Sequence, residues 1–195
     1  VDGHDFISWA TGAGAIAVIG ERTGFAQSGG VPYFSVRNAR AALGVIAHAV
    51  HGDPSHRMIV IGVTGTNGKT TCARMVQHIL CAHGATCSFF GTIGYEIAGT
   101  MHPAKHTTPF GEELAEMFAA ARDAGETHVV MEVSSHALDQ ERVAGILSFL
   151  NRHGPGLLQA LAGALEWSRL EHQLVFLGGP AAEPVPGPDA KGTSA

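Results

Sequence analysis

The chain has 195 residues, enough for one ordinary domain or two small ones with a buried core. Charged residues make up only 15% of it and 26 residues are glycine, without the period of three that collagen requires, so a coiled coil, a charged disordered tail and a collagen helix are excluded. The 12 Lys and Arg residues are outnumbered by 17 Asp and Glu, and no basic cluster could neutralise a row of phosphates, so we expect no nucleic-acid partner.

The cysteines and the hydropathy pattern bear on the cellular compartment. Cys72, Cys81 and Cys87 are odd in number and lack zinc-binding spacing, which favours reduced thiols in a cytoplasmic protein. No apolar run reaches the length of about 18 residues that a spanning helix needs. We therefore expect neither a membrane span nor export.

Residues 1–57 are predicted to form part of a small α/β domain. We expect a helix over 5–11 and strands over 15–19 and 33–36. Asn38 is a suitable N-cap for a helix that runs to about Val50, and the turn-forming residues that follow mark a linker.

Residues 58–146 alternate between strand and helix patterns. Strands are predicted over 58–63, 85–90 and 128–133, and helices over 69–83 and 112–124. This alternation predicts βαβ units, and therefore an α/β fold with a P-loop-type parallel sheet flanked by helices. Residues 147–195 differ in composition and lack the alternating pattern. We predict a helix over 156–171 and a disordered Gly/Pro-rich end over 178–195.

The strongest chemical signal lies between the first of these strands and the helix that follows it. The loop reads Gly65-Thr66-Asn67-Gly68-Lys69-Thr70-Thr71. Backbone N–H groups of such a loop surround a polyphosphate, the lysine reaches the β and γ phosphates, and the first threonine hydroxyl binds Mg²⁺. The front half departs from the general pattern, because Val63 stands where a glycine is expected. The alternative is a glycine-rich turn that binds nothing.

Three further groups of residues are candidates for binding. Glu132, at the end of a buried strand, could hold Mg²⁺, although a helix cap or an ion pair is the ordinary role of such a carboxylate. Thr107 and Thr108 could bind phosphate or sugar, or could form a helix-capping turn. Gln140 and Arg142 could bind a carboxylate or phosphate, or could lie on a solvated helix face.

Taken together, these motifs resemble the Mur ligases, most closely the members that add the third residue of the peptidoglycan stem peptide. The resemblance covers about residues 1–146, and 1–57 is similar to the second half of the family's N-terminal UDP-substrate domain. In the central part it is carried by four segments: the loop 65–71, Thr107-Thr108-Pro109, the run 131–138, and Arg142-Val143-Ala144-Gly145-Ile146. In 1–57 it is carried by Val1-Asp2-Gly3-His4-Asp5-Phe6-Ile7 and Val31-Pro32-Tyr33.

The resemblance implies an ATP-dependent amide ligase that acts through an acyl phosphate. It implies that the γ-carboxylate of D-Glu in UDP-MurNAc-L-Ala-D-Glu is phosphorylated, and that the amine of meso-diaminopimelate or L-lysine displaces the phosphate. Lys69 and Glu132 would be the catalytic residues, with residues 65–71 on ATP and with Thr70 and Glu132 on Mg²⁺. The UDP-muramoyl dipeptide would be held by Thr107, Thr108, Ser134, Gln140 and Arg142. A cytoplasmic monomer is expected.

After Ile146 the sequence departs from the family pattern. The family continues with an Asn-Leu-Thr…Asp-His-Leu-Asp segment that supplies a second metal ligand, and then with a lysine that is carbamylated; here the chain reads Leu147-Ser148-Phe149-Leu150. The C-terminal domain that binds the incoming amino acid is not present in the sequence either. We therefore expect a fragment that is not a competent ligase alone, with a non-catalytic nucleotide-binding module as the alternative.

Overall fold

The computed structural model of the protein describes residues 2–24 and 26–146, together with the backbone of 173–178. The described part contains two sheets, one of three strands near the N-terminus and one of six strands in the centre.

The N-terminal part is small and is built from short elements. A 3₁₀ turn, Gly3–Phe6, leads into helix α1, Ile7–Gly12. Strands β1 and β3 pair in parallel, and β2 pairs with β3 in the antiparallel direction. These strands are β1 Val18–Gly20, β2 Gln27–Ser28 and β3 Val31–Ser35.

Helix α2, Ala39–Val50, connects this part to the central sheet. The prediction that Asn38 caps it is confirmed: the Asn38 side-chain oxygen accepts a hydrogen bond of 3.0 Å from the Ala41 N–H, one of the donors that a helix start leaves unpaired. The helix ends at Val50, and Gly52 follows in the left-handed conformation with φ of 74°.

The central sheet has the strand order β7-β6-β5-β8-β4-β9. Strands β5, β8 and β4 run parallel, as predicted, whereas β6, β7 and β9 pair in the antiparallel direction. The strands are β4 Ile59–Thr64, β5 Cys87–Gly91, β6 Gly94–Ile97, β7 Thr100–His102, β8 His128–Glu132 and β9 Gln173–Gly178. The helices are α3 Lys69–Ala82, α4 Gly111–Asp123 and α5 Ser135–Asp139.

Both faces of this sheet are covered by helices. Side chains alternate between the two faces of a strand, so the neighbours Phe89 and Phe90 enter different cores. Phe89 packs with Ala73 of α3, while Phe90 meets Phe118 of α4 edge to face at 5.5 Å between ring centroids. The predicted α/β class with flanking helices is therefore confirmed.

The structure differs from the sequence prediction mainly where strands are short or antiparallel. The β6–β7 hairpin was not predicted. Its Ala98-Gly99 turn has positive φ at both residues (50° and 73°). Asn, Asp or Gly is the usual first residue of such a turn, so alanine at this position does not indicate a hairpin. Strand β9 was not predicted either, and it contains Gly178, the first residue of the segment predicted to be disordered. The predicted helix over 156–171 lies outside the described residues, as does 179–195.

Within the described part of the chain, none of the helices combines the length and the apolar character that crossing a membrane requires.

Candidate functional site at the carboxyl edge of the central sheet

The glycine-rich loop joins the end of β4 to the start of α3. Gly68, at the N-cap, has φ of 77°, and Gly65 has φ of 142°, conformations that side chains with a Cβ atom rarely adopt. The Lys69 ammonium lies over the loop, where it donates to the carbonyl oxygens of Gly65 (2.9 Å) and Thr66 (3.3 Å). The loop thus has the backbone conformation and the cation that its sequence predicts.

Glu132 lies beside this loop, at the carboxyl end of β8. Parallel strands present their carboxyl ends at one edge of the sheet, and β4 and β8 are direct neighbours. The Thr70 hydroxyl donates to Glu132 Oε1 over 2.9 Å, and the Glu132 side chain is 1% exposed. The structure therefore brings together the two residues that the sequence proposes as Mg²⁺ ligands.

The donor set fits Mg²⁺. A carboxylate and a hydroxyl are hard oxygen donors, and Mg²⁺ in nucleotide sites is held by one or two such protein groups together with phosphate oxygens. Among the described residues there is no group of three or more His, Cys, Asp or Glu side chains that could hold a metal ion by itself. A site formed by Glu132 and Thr70 thus depends on a nucleotide to complete the coordination.

Thr92 is a site residue that sequence reasoning missed. Its N–H donates to Glu132 Oε1 (2.9 Å), its hydroxyl donates to Glu132 Oε2 (3.1 Å), and its hydroxyl oxygen lies 3.0 Å from that of Thr107. The preceding Gly91 makes this approach possible, because a Cβ atom there would lie 2.9 Å from the carboxyl carbon of Glu132 and closer still to Oε1. The available signal was the position of Thr92 directly after a buried parallel strand.

Thr108 and Ser134 stabilise the end of β8. The buried Thr108 hydroxyl donates to the Glu132 carbonyl oxygen (2.9 Å) and accepts from the Ser134 N–H (3.1 Å). The Ser134 hydroxyl accepts from the Ala137 N–H over 3.1 Å and so caps α5. Thr108 does not cap α4, whose N-cap is Phe110 without a side-chain hydrogen bond.

Gln140 and Arg142 lie next to Thr108 and not on a solvated helix face. Arg142 Nη1 donates to the Thr108 carbonyl oxygen (2.8 Å), and its Nε and Nη2 both donate to Gln140 Oε1 (2.9 and 2.7 Å). The guanidinium carbon stacks 4.1 Å from the centroid of the Phe110 ring. The side chains that the sequence proposes for substrate binding thus form one connected group beside Glu132.

The fold and this site define an α/β protein whose glycine-rich strand–loop–helix segment faces a buried carboxylate at the carboxyl edge of a parallel sheet. Residues 63–150 match the family model described as the Mur ligase middle domain. The central part of the chain belongs to the Mur ligase family, which confirms the resemblance inferred from the motifs.

Individual relatives agree with this assignment. Over 145 residues the chain is 43% identical to the UDP-N-acetylmuramoyl-L-alanyl-D-glutamate–2,6-diaminopimelate ligase of Geobacillus thermodenitrificans, a match that covers 74% of this chain and 29% of that protein. Over 148 residues it is 42% identical to the UDP-N-acetylmuramyl-tripeptide synthetase of Deinococcus radiodurans, covering 74% and 30% respectively. The chain therefore spans less than a third of the length of the curated relatives it matches.

A solved structure supports the same fold. It is titled as that of a UDP-N-acetylmuramoyl-L-alanyl-D-glutamate–2,6-diaminopimelate ligase, and it superposes with a TM-score of 0.61 at 30% sequence identity. The match covers 73% of this chain and 28% of that one.

Proposed function

We propose that this chain carries the Mg²⁺–ATP site of an amide ligase of peptidoglycan precursor synthesis. The observation that carries the proposal is the 2.9 Å contact between Thr70, at the start of α3, and the buried Glu132 carboxylate. It joins the phosphate-binding loop to a metal-binding carboxylate in one site. The relatives are named as ligases of UDP-N-acetylmuramoyl-L-alanyl-D-glutamate, and this supplies the reaction class.

The loop residues 65–71 have distinct roles in this proposal. Backbone N–H groups of the loop and of the first turn of α3 bind the polyphosphate. Lys69, which donates to the carbonyl oxygens of Gly65 and Thr66, would donate instead to the β and γ phosphates of bound ATP. Thr70 and Glu132 would hold Mg²⁺, which would offset the charge that develops on the transferring phosphoryl group.

The neighbouring polar group binds the acceptor, which we propose to be UDP-MurNAc-L-Ala-D-Glu. Thr107, Gln140 and Arg142 contribute side-chain donors, with Arg142 suited to a phosphate or carboxylate by its planar fork. Thr108 and Ser134 act by holding the backbone at the end of β8. A diamino acid, meso-diaminopimelate or L-lysine, is the second small-molecule substrate, whose amine displaces phosphate from the acyl phosphate that ATP forms on the γ-carboxylate of D-Glu.

The proposal includes a cytoplasmic location, because ATP and UDP-linked sugars are cytoplasmic substrates. It also retains the monomeric state expected from the sequence.

Isothermal titration calorimetry with ATP, with and without Mg²⁺, tests the proposal. Wild type is expected to bind ATP more tightly with Mg²⁺. Lys69→Ala is expected to weaken binding by about 10- to 100-fold, because it removes a charge-assisted hydrogen bond to phosphate. The matched control is Lys105→Ala, which removes an exposed lysine paired with Glu113 at 3.6 Å.

Folded wild-type protein that binds no ATP would contradict the proposal, as would an effect of Lys105→Ala equal to that of Lys69→Ala. Phosphate release is the second measurement. Release that requires both UDP-MurNAc-L-Ala-D-Glu and a diamino acid would show that this chain catalyses ligation by itself, whereas ATP binding without release would define a nucleotide-binding module.

A further inference from the structure

The turn between β5 and β6 holds both oxygens of the Glu132 carboxylate. The Thr92 N–H donates to Oε1 (2.9 Å) and the Thr92 hydroxyl donates to Oε2 (3.1 Å). Two donors from one residue restrict the rotation of the carboxylate about its last side-chain bond. Thr92 therefore sets the direction in which the remaining lone pairs of Glu132 point.

The Thr92 hydroxyl also connects Glu132 to Thr107. A hydroxyl has one proton, and the Thr92 hydroxyl lies within donating distance of both Glu132 Oε2 (3.1 Å) and the Thr107 hydroxyl oxygen (3.0 Å), of which the charged carboxylate is the stronger acceptor. The Thr92 proton is thus directed to Glu132, and Thr107 is a second, neutral neighbour of the same hydroxyl.

Thr92 and Glu132 differ in burial, and this difference allows the orienting role of Thr92 to be distinguished from a packing role. Glu132 is buried, whereas Thr92 is exposed and belongs to neither hydrophobic core cluster of the described residues. Valine has nearly the shape of threonine, so replacing Thr92 by valine removes the hydroxyl and leaves the N–H in place. The loss of one donor can then be measured without a change in packing.

The described hydrogen bonds of the Glu132 carboxylate leave one of its lone-pair positions available to a metal ion. A carboxylate has about four lone-pair positions, and the described contacts use three: Thr70 and the Thr92 N–H on Oε1, and the Thr92 hydroxyl on Oε2. One position on Oε2 is left for a further bond.

We propose that Thr92 is the positioning residue that orients Glu132 toward Mg²⁺. The inference rests on the proposed function, since it deepens the role of the same site. Groups that orient a metal ligand through hydrogen bonds commonly change metal affinity by about 10- to 100-fold when they are removed.

The experiment compares ATP affinity with and without Mg²⁺ in the full chain, so that the Mg²⁺-dependent enhancement of binding is the quantity measured. Thr92→Val is expected to reduce the enhancement about 10-fold and to leave Mg²⁺-free ATP binding unchanged. Thr92→Ser, which restores a hydroxyl, is expected to recover the wild-type enhancement to within about 2-fold. The matched control, Thr100→Val, changes an exposed threonine of the neighbouring β6–β7 hairpin.

Electron paramagnetic resonance of Mn²⁺ with ATP gives a spectroscopic test of the same claim. The spectrum of protein-bound Mn²⁺ is expected to differ between wild type and Thr92→Val, and to be the same in wild type, Thr92→Ser and Thr100→Val. A merely structural role of Thr92 would lower ATP binding equally with and without Mg²⁺, and this result would overturn the inference.

The failure of the inference can be told apart from the failure of the proposed function. If wild type shows the Mg²⁺ enhancement and Thr92→Val shows it undiminished, the inference is overturned and the proposed function stands. If wild type shows no Mg²⁺ enhancement, the proposed function and the inference fall together.

Discussion

Three glycines allow α2 to pack directly against the central domain, and Gly145 lies at the tightest point. A Cβ atom at Gly145 would lie 2.9 Å from the carbonyl carbon of Gly44, and closer still to the Gly44 oxygen and to Nδ1 of His48. A Cβ atom at Gly111 would lie 2.8 Å from the Gly44 Cα atom. We expect Gly145→Ala to force α2 away from its partners.

The size of the expected loss of stability in Gly145→Ala depends on which atoms would have to move. The obstructing groups are backbone of α2 and the buried His48 ring, which donates from Nδ1 to the Gly44 carbonyl oxygen (3.1 Å), so neither can rotate away as a flexible side chain would. Overpacking of this kind costs typically about 1–3 kcal/mol, and we expect the upper end. For a chain of this length, about 3 kcal/mol corresponds to a decrease of about 6–12 °C in Tm.

Urea unfolding followed by circular dichroism measures the loss. The matched control is Gly12→Ala, at the last residue of α1, where a Cβ atom would meet nothing within 4 Å. Gly12→Ala is expected to be neutral or slightly stabilising, because alanine favours the helix. A loss below about 0.5 kcal/mol in Gly145→Ala would refute the close-packing argument, since that is the ordinary range for surface substitutions.

Two further predictions concern pH and the sheet edge. Burial lowers the pKa of His48, so the unfolded chain binds the proton more readily than the folded one, and the free energy of unfolding decreases as the pH falls below about 6.5. His48→Asn is expected to reduce the decrease in urea midpoint between pH 7.5 and pH 5.5. A decrease equal to that of wild type would contradict this. The double change Leu174→Pro and Val175→Pro must remove at least one β9 N–H that faces β4, because consecutive N–H groups point to opposite sides of a strand. The exposed edge of β4 is then expected to cause association, seen as a larger sedimentation coefficient than that of wild type. An unchanged sedimentation coefficient would contradict the pairing.

The sequence was sufficient for the parts of the site that local rules determine. The positive φ of Gly65 and Gly68 follows from the loop pattern, and the placement of Glu132 beside the loop follows from parallel strands ending at one edge. The helix start at Asn38 was likewise fixed by a local hydrogen bond.

The missed features depend on contacts between distant residues. Thr92 contacts Glu132 across 40 positions, and the direction of the turn that brings it there is set by the antiparallel pairing of β5 with β6. Arg142 stacks on Phe110 because α5 and the residues after it fold back over the start of α4, which no periodicity reveals. Strand β9 is a short apolar segment, and its pairing with β4 could not be told from a buried helix segment by pattern alone.

The most direct test of the central claim is the Mg²⁺ dependence of ATP binding in Glu132→Gln, a change that keeps the shape of the side chain and removes its charge. The account predicts that the Mg²⁺ enhancement seen in wild type is lost, by at least about 10-fold, because a neutral amide is a poor ligand for Mg²⁺. Glu116→Gln, at an exposed position of α4, is the matched control and should behave as wild type. A folded Glu132→Gln protein with an undiminished enhancement would contradict the assignment of Glu132 to the metal.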